Sequence, residues 1–227
     1  MPQPFESLDW RRHLRPFPKT CASQLMSWRS FEHGSSERTI PLEVTRLMSL
    51  EQSFKNQFLV SLPALRGDYF QNSISLLVDH NAEGAFGLVI NHPLENKISD
   101  ILPDLGLFNC PVLLGGPVQQ DRIFFLHPKG EQFDATLEVS DEISLTTSAD
   151  FVEAMKQGSA PSKTIALLGY AGWGSEQLEH ELIENVWLLT PANGRIVFDE
   201  PYEKRASEAA GLMGVDLNLI SPEAGHD

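Results

Sequence analysis

The sequence predicts an α+β protein built around a mixed β-sheet. Short apolar segments rich in branched side chains alternate with turns that contain glycine, proline and asparagine, which is the pattern of strands and hairpins. Helical periodicity is confined to a few short stretches, which do not follow every strand as they do in a doubly wound fold. The chain has 227 residues, 41% of them hydrophobic, and is therefore long enough for one sizeable core.

The clearest element is a β-hairpin in the first half of the chain. Residues 73–78 and 86–90 are apolar enough to be strands, and the segment between them is rich in glycine and polar residues. We predict two paired strands joined by a long polar tip that begins at His80. Further strands are predicted over residues 58–63, 112–114, 123–126, 143–147, 164–168 and 186–189.

Glycine and proline also predict how the later elements are connected. The segment 115–117 (G-G-P) predicts a tight turn that pairs the strands on either side of it. The segment 169–174 (G-Y-A-G-W-G) predicts a loop that leads into a helix capped by Ser175, with Ile183 on the buried face of that helix. Other short helices are predicted over residues 98–105, 149–157 and 204–213.

The glycine-rich segment 169–174 has the strand–loop–helix arrangement that binds phosphate groups at a helix N-terminus. Its spacing fits neither common nucleotide-binding motif, and three glutamates in the first two helical turns disfavour a phosphate. We therefore favour a packing role, in which the glycines let Trp173 and the helix lie close to the sheet.

His80, Glu83 and His92 are the side chains near the hairpin best suited to acid–base chemistry or metal binding. The first two are three positions apart in the sequence, and the third follows the second strand, so a shared site requires the hairpin to close. Turn-forming histidine and asparagine residues explain the same pattern without chemistry. We favour that structural explanation and expect no catalytic residue, metal or cofactor.

Charge and cysteine content exclude several classes of function. Seventeen Lys and Arg residues stand against 31 Asp and Glu residues, so the formal net charge of −14 disfavours direct binding to nucleic acid. Cys21 and Cys110 form neither a disulfide framework nor a zinc motif, which favours a reducing cytoplasm. No apolar run approaches the ~20 residues that cross a bilayer, so we expect no contact with a membrane.

Residues 1–47 differ from the remainder of the chain. They hold 7 of the 17 basic residues and 5 of the 31 acidic ones, which leaves residues 48–227 with 10 and 26 and a net charge of −16. The segment also lacks sustained strand or helix periodicity. We expect it to be a disordered extension, or the product of an over-long gene prediction whose true start is Met48, followed by one domain over residues 48–227.

Three motifs in the body of the chain identify a family resemblance. They are H-N-x-E-G-A-x-G-L-V-I-N-x-P at 80–93, L-G-G-P-V at 114–118 and G-Y-A-G-W-G-x-x-Q-L-E-x-E at 169–181. Together with F-L-V-S-L-P at 58–63, their order resembles the YqgE/AlgH family over about residues 56–226. Glu176 stands where that family usually has glycine.

The resemblance implies a cytosolic bacterial protein whose mixed, bifurcated sheets form a barrel-like body flanked by short helices. It implies no established enzyme activity. It connects the chain with transcriptional regulation of alginate production and with an RNase-H-like resolvase-type protein, which is the protein partner that the resemblance suggests.

These observations predict a non-enzymatic protein that binds a protein partner or a small ligand near the hairpin and the G-G-P turn. The alternatives are a transcriptional regulator and an unrecognised hydrolase or metabolite-binding enzyme. The candidate binding patch consists of His80, Asn81, Glu83, Gly84, Asn91, Gly115, Gly116, Trp173, Gln177 and Glu179.

Overall fold

The computed structural model describes residues 53–62, 69–105 and 107–220. The predicted extension, residues 1–47, lies outside the described residues. The strands are β1 Gln57–Ser61, β2 Ile74–Asn81, β3 Gly84–Val89, β4 Val112–Leu114, β5 Val118–Pro128, β6 Thr136–Glu138, β7 Ile143–Thr146, β8 Ile165–Gly174 and β9 Trp187–Pro191. The helices are α1 Ile98–Ile101, α2 Ala149–Lys156, α3 Gln177–Ile183, α4 Gly194–Phe198 and α5 Tyr202–Leu212, with 3-10 turns at Pro103–Leu105 and Leu217–Leu219.

The sheet is organised around β8. The main strand order is β6-β7-β5-β8-β3-β2-β1-β9, and β4 pairs with β8 as well. Leu167 of β8 pairs with Phe124 of the antiparallel β5 and with Leu113 of the parallel β4, so these two strands lie on opposite edges of β8. Beyond β4, on the same edge of β8, residues 84–87 of β3 pair with residues 171–174 of β8. The sheet therefore divides at β8 and curls into a half-barrel, which confirms the mixed, bifurcated fold.

The predicted hairpin of β2 and β3 is present, but its long polar tip is wrong. His80 belongs to β2, where it pairs with Ala85, and Asn81 pairs with Gly84. Only Ala82 and Glu83 remain in the turn. Strand β2 continues beyond its apolar residues because the polar residues His80 and Asn81 still pair with β3 in the ladder.

Two predicted connections are also wrong. The segment 115–117 does not fold β4 back onto β5, because β8 lies between these two strands. The segment 169–174 is not a loop but the second half of β8, since β3 supplies it with an antiparallel partner. In both places a strand distant in sequence overrides the local preference of glycine for turns.

Helix α3 differs from its prediction at both ends. Its N-cap is Glu176, in a left-handed conformation with φ of 60°, and Ser175 instead donates a hydrogen bond from Oγ to the Ala82 carbonyl oxygen at 2.7 Å. Leu178 is buried as expected, but Ile183 is 70% exposed because the helix ends there and turns its last residue to solvent. Helix α2 follows Ser148 and ends before Gly158, as the sequence predicts.

Apolar residues pack on both faces of the sheet. One face forms the larger core, which includes Phe58, Leu76, Leu88 and Phe124 and is covered partly by α4 and α5. On the opposite face, a smaller cluster is centred on Trp173, and α3 contributes Leu178 to it. This second face supports the candidate site.

Candidate functional site

The tip of the β2–β3 hairpin and the start of α3 lie side by side. Gly84 pairs with Gly174 at the end of β8, and a Cβ on Gly84 would overlap the Trp173 carbonyl oxygen. The hydrogen bond from Ser175 to Ala82 joins the hairpin turn to the residue before the helix cap. The hairpin tip is therefore fixed against α3 by close backbone contact.

His80 lies beneath this contact and is 6% exposed. Its Nε2 lies 2.9 Å from Glu179 Oε1, and its Nδ1 accepts a hydrogen bond from the Phe54 backbone N–H at 3.0 Å. Because Nδ1 accepts, Nε2 must carry the proton of the neutral imidazole and donate it to Glu179. Neither ring nitrogen has a lone pair available to a substrate, so His80 is not placed to act as a general base.

The bonds of His80 join three segments of the chain. The Phe54 ring stacks on the imidazole with a centroid distance of 4.7 Å, and Ser53 Oγ donates to the His80 carbonyl oxygen at 2.9 Å. Glu179 brings α3 to the same point, while its second oxygen, Oε2, is buried without a hydrogen-bond partner among the described residues. His80 thus fixes the segment before β1 and helix α3 to the end of β2.

Sequence reasoning missed Glu181, which makes more side-chain hydrogen bonds than any predicted patch residue in the described part of the chain. Its Oε2 accepts from Trp173 Nε1 at 2.9 Å and from Trp187 Nε1 at 2.8 Å. Its Oε1 accepts from Gln177 Nε2 at 2.9 Å, and Gln177 Oε1 accepts from the Gly174 N–H at 3.0 Å. A signal was present, since buried indole N–H groups need acceptors, but the sequence does not say which carboxylate serves both.

The two asparagines of the predicted patch have separate roles. Asn81 Oδ1 accepts from the Glu83 N–H at 2.8 Å and so stabilises the hairpin turn. Asn91 lies beyond the opposite end of β3, where its Oδ1 accepts from the Ile74 N–H at 3.0 Å and its Nδ2 donates to the Asn72 carbonyl oxygen at 2.8 Å. The structure therefore places Asn81 at the tip and Asn91 away from it.

Gly115 and Gly116 form the point at which the sheet divides. The Gly115 N–H donates to the Leu168 carbonyl oxygen at 2.8 Å, and its own carbonyl oxygen accepts from the Val89 N–H at 2.8 Å. A Cβ on Gly116 would overlap the Tyr170 carbonyl group. Both glycines are buried, and Gly174 lies four positions after Tyr170 along β8, which corresponds to about 13 Å. The structure thus places them apart from the hairpin tip.

Arg205 is a second buried polar residue whose role the sequence did not reveal. It is 2% exposed, donates to the carbonyl oxygens of Ile90 and Glu200, and lies 4.5 Å from the centre of the Tyr202 ring. Burial lowers the pKa of its guanidinium to about 10. Arg205 anchors α5 to the chain that leaves β3.

The exposed part of the site is acidic and includes one apolar side chain. We name it the tip surface, and it consists of Glu83, Glu176, His180, Ile183 and Glu184. Ile183 and Glu184 lie three and four residues after His180 and are therefore its neighbours at the end of α3, whereas Glu176 is the N-cap at the start of the helix. His180 Nε2 lies 3.3 Å from Glu184 Oε1. The surface suits a partner that offers positive charge around an apolar group.

Among the described residues, no cluster of three or more His, Cys, Asp and Glu side chains could hold a metal ion. No helix in that part of the chain is long and apolar enough to cross a membrane.

Comparison with known proteins supports the family resemblance that the three sequence motifs indicate. The model of a family described as AlgH-like matches residues 58–218. This chain belongs to the AlgH-like family. A UPF0301 protein of Nitrosococcus oceani is 46% identical over 180 residues, which cover 76% of this chain and 96% of the relative. A UPF0301 protein of Methylococcus capsulatus is 41% identical over 187 residues, covering 79% and 100%.

Solved structures show the same fold. The solution structure of the AlgH protein from Pseudomonas aeruginosa has a TM-score of 0.64 and 38% identity, and the match covers 85% of this chain and 100% of that one. Protein DIP2367 of Corynebacterium diphtheriae has a TM-score of 0.62 at 16% identity, with 82% and 100% covered, and shows the fold alone. The predicted family resemblance is confirmed.

Family membership gives a physical meaning to the motif position at which glutamate replaces the expected glycine. Glu176 adopts φ of 60°, a left-handed conformation in which glycine avoids the clash that a Cβ makes with the backbone. The glycine expected at this position thus fits the backbone, and Glu176 adds a carboxylate to the tip surface at the cost of local strain.

Proposed function

We propose that this protein is a non-enzymatic, acidic cytosolic protein that acts by binding a partner protein through the tip surface. The observation that carries the proposal is the rigid junction of the hairpin turn with α3, where Ser175 bonds to Ala82 and Gly84 packs on Trp173. This junction holds Glu83 and Glu176 in fixed positions at the edge of the fold. A backbone that is fixed before binding loses little further entropy when the partner binds.

The geometry of the buried layer supports a binding role over catalysis. Both ring nitrogens of His80 are occupied, and Glu179 and Glu181 hold α3 in place. The polar residues that resemble catalytic groups therefore serve as supports for the exposed ones.

The charge of the surface supports a partner with basic residues next to an apolar side chain. The tip surface holds the glutamates Glu83, Glu176 and Glu184 and the exposed Ile183, and the body of the chain carries a net charge of −16. This charge disfavours direct binding to DNA, so an effect on transcription would be exerted through the partner. The RNase-H-like resolvase-type protein suggested by the family resemblance is the first partner to test.

The test compares two charge-matched double variants. Glu83→Gln with Glu176→Gln removes two charges from the tip surface, and Glu95→Gln with Glu131→Gln removes two exposed charges from the loops that follow β3 and β5. Each variant and the wild type are immobilised, and bound proteins from native cytosol and the purified resolvase-type protein are quantified. We expect the first variant to lose at least about tenfold in retained partner, equivalent to about 1.4 kcal/mol, and the second to bind as the wild type does.

The salt dependence of binding provides an independent check. Binding that depends on exposed charges should weaken between ~50 and ~500 mM salt, because the Debye length shortens over this range. Equal retention by the two double variants would contradict the proposal. A retained metabolite in place of a protein would favour the ligand-binding alternative.

A further inference from the structure

A chain of buried polar groups lies at the other end of the sheet, around His127 of β5. The His127 side chain is fully buried, and its Nδ1 lies 2.9 Å from the Pro128 carbonyl oxygen. Its Nε2 lies 2.9 Å from Thr146 Oγ1, which lies 2.8 Å from Thr136 Oγ1. Thr136 Oγ1 also accepts from the Phe133 N–H at 3.0 Å. These bonds connect β5, β7, β6 and the loop before β6.

Only one arrangement of protons satisfies every bond in this chain while the imidazole is neutral. The Pro128 oxygen can only accept, so Nδ1 carries the ring proton and Nε2 accepts from the Thr146 hydroxyl. The Thr146 oxygen then accepts from the Thr136 hydroxyl, whose oxygen accepts from the Phe133 N–H. Each donor has an acceptor, so the chain is complete.

A proton added to Nε2 disrupts this arrangement. The lone pair that accepted from Thr146 is lost, the Thr146 hydroxyl must turn toward Thr136, and the Thr136 hydroxyl loses its acceptor within the chain. The charged ring would also remain in an apolar site, stacked on Phe151 at 4.9 Å and edge-on to Phe133 at 6.1 Å. Burial accordingly lowers the pKa of His127 below its usual value of 6.5.

The charged groups on the elements around the imidazole do not bond to its ring nitrogens. On α2 they are Asp150, Glu153 and Lys156, and on the loop and β6 they are Lys129, Glu131, Asp134 and Glu138. Asp150 accepts from the Asp134 N–H at 2.9 Å, and Lys129 lies 3.0 Å from Glu138. The two ring nitrogens contact Pro128 and Thr146 instead. No charged side chain in the part of the protein that the structure describes therefore compensates for the hydrogen bond that is lost when Nε2 takes up a proton.

The strand held by this chain is well placed to detach. β6 has three residues, stands at the end of the sheet and pairs with β7 alone within the main strand order. Its Leu137 is 37% exposed, whereas all four residues of β7 are buried. Short edge strands belong to the part of a fold that opens at low free-energy cost.

We propose that His127, Thr146 and Thr136 form a proton-sensitive latch that holds β6 and the loop before it on β7, and that mild acid opens the latch. In the open form the imidazole reaches water and takes up a proton on Nε2, while β7 presents an unpaired edge. The device is separate from the tip surface and does not depend on the proposed partner.

The direction of the pH effect follows from proton linkage. The open state binds a proton with the ordinary pKa near 6.5, and the closed state binds it only at lower pH. Closed-state stability is therefore constant well above pH 6.5 and is lost as pH falls through 6.5 toward the lower pKa. Between pH 7.5 and 5.5 the opening equilibrium should increase, by up to about tenfold when the closed form takes up no proton in this range.

Amide hydrogen exchange of the full chain, corrected for the intrinsic effect of pH, tests the latch. Peptides that cover residues 130–147 should lose protection between pH 7.5 and 5.5, by up to about tenfold, while those from the β2–β3 hairpin change less. His127→Gln, which cannot take up a proton in this range, should abolish the difference. The exposed His180→Gln is the matched control and should retain it.

Nitrogen-15 NMR of the histidine rings in the wild type gives a second measurement that needs no variant. It should show His127 protonated on Nδ1 alone at pH 7.5, and the amides of residues 133–138 should shift along the same titration as its Nε2. Uniform loss of protection across the sheet, an unchanged pH effect in His127→Gln, or a titration of His127 without response in β6 would each overturn the latch.

Discussion

Two regions of the sheet are joined by opposite means. At the branch point, Gly115 and Gly116 approach β8 backbone to backbone, and no side chain lies between them. At the hairpin tip, α3 is held through polar side chains, since Glu179 reaches His80 and Glu181 accepts from two tryptophans. The first region depends on the absence of a Cβ and the second on the position of polar atoms.

The difference shows what the family motifs specify. A glycine in a backbone contact cannot be replaced without moving a strand, because the neighbouring atoms belong to the main chain. A polar side chain at the edge of α3 can lose one bond while water or a neighbour partly compensates. We therefore expect an abrupt response to substitution at the branch point and a graded response at α3.

The largest effect is expected for Gly116→Ala. The added Cβ would overlap the Tyr170 carbonyl group, so we expect a loss of about 3 kcal/mol or more in the free energy of unfolding, the upper end of overpacking costs. Urea unfolding followed by circular dichroism measures the change. Gly130→Ala, whose Cβ would meet no atom within 4 Å, is the control and should alter stability little. Equal stability of the two variants would refute the backbone-contact explanation.

An intermediate effect is expected for Glu181→Ala. The change leaves the indole N–H groups of Trp173 and Trp187 without their acceptor, which should cost about 2–3 kcal/mol because both bonds are made to one carboxylate. Near-ultraviolet circular dichroism should report altered tryptophan packing. Glu184→Ala on the same helix removes only an exposed pair with His180 and should cost less than about 0.5 kcal/mol. A Glu181 variant as stable as the Glu184 variant would show that the indole bonds contribute nothing.

The smallest effect is expected for Glu176→Gly, and it has the opposite sign. Glycine relieves the left-handed strain at the N-cap of α3, which should stabilise the fold by about 1 kcal/mol and raise Tm by roughly 2–4 °C. Thermal unfolding measures the shift. Glu203→Gly, at an exposed position in the first turn of α5, should instead lower Tm, because glycine is unfavourable within a helix. A lower Tm for Glu176→Gly would show that its carboxylate stabilises α3 more than the strain costs.

The local sequence pattern was sufficient to predict those elements whose contacting residues are close together in the sequence. Residues 73–90 contain two apolar runs separated by turn residues, so the β2–β3 hairpin could be predicted, and Ser148 and Gly158 mark the ends of α2. The three family motifs supplied the bifurcated fold, which periodicity alone does not indicate.

The errors arose where a distant segment decides the conformation. Residues 169–174 look like a loop because glycine is rare in strands, yet Gly84 and Gly116 lie against the carbonyl groups of Trp173 and Tyr170 in this segment. A Cβ on Gly169 would overlap the Gly116 carbonyl oxygen. Pairing between distant segments also divides the predicted binding patch into two places. Gly115 lies at the branch point of the sheet, whereas His80 and Glu179 contact each other beneath α3. Single-sequence patterns contain no information on which glycines face each other.

The central claim is that His80 and Glu179 hold the tip surface in place. A double-mutant cycle on these two residues tests it most directly. His80→Ala and Glu179→Ala should each lower the free energy of unfolding, with a coupling of about 1 kcal/mol, since Glu179 is partly exposed. Urea unfolding of both single variants and the double variant gives this value. Catalytic groups are often held at a cost to stability. Single variants that equal or exceed the wild type in stability, with no coupling between the two residues, would contradict the claim and favour a chemical role for the pair.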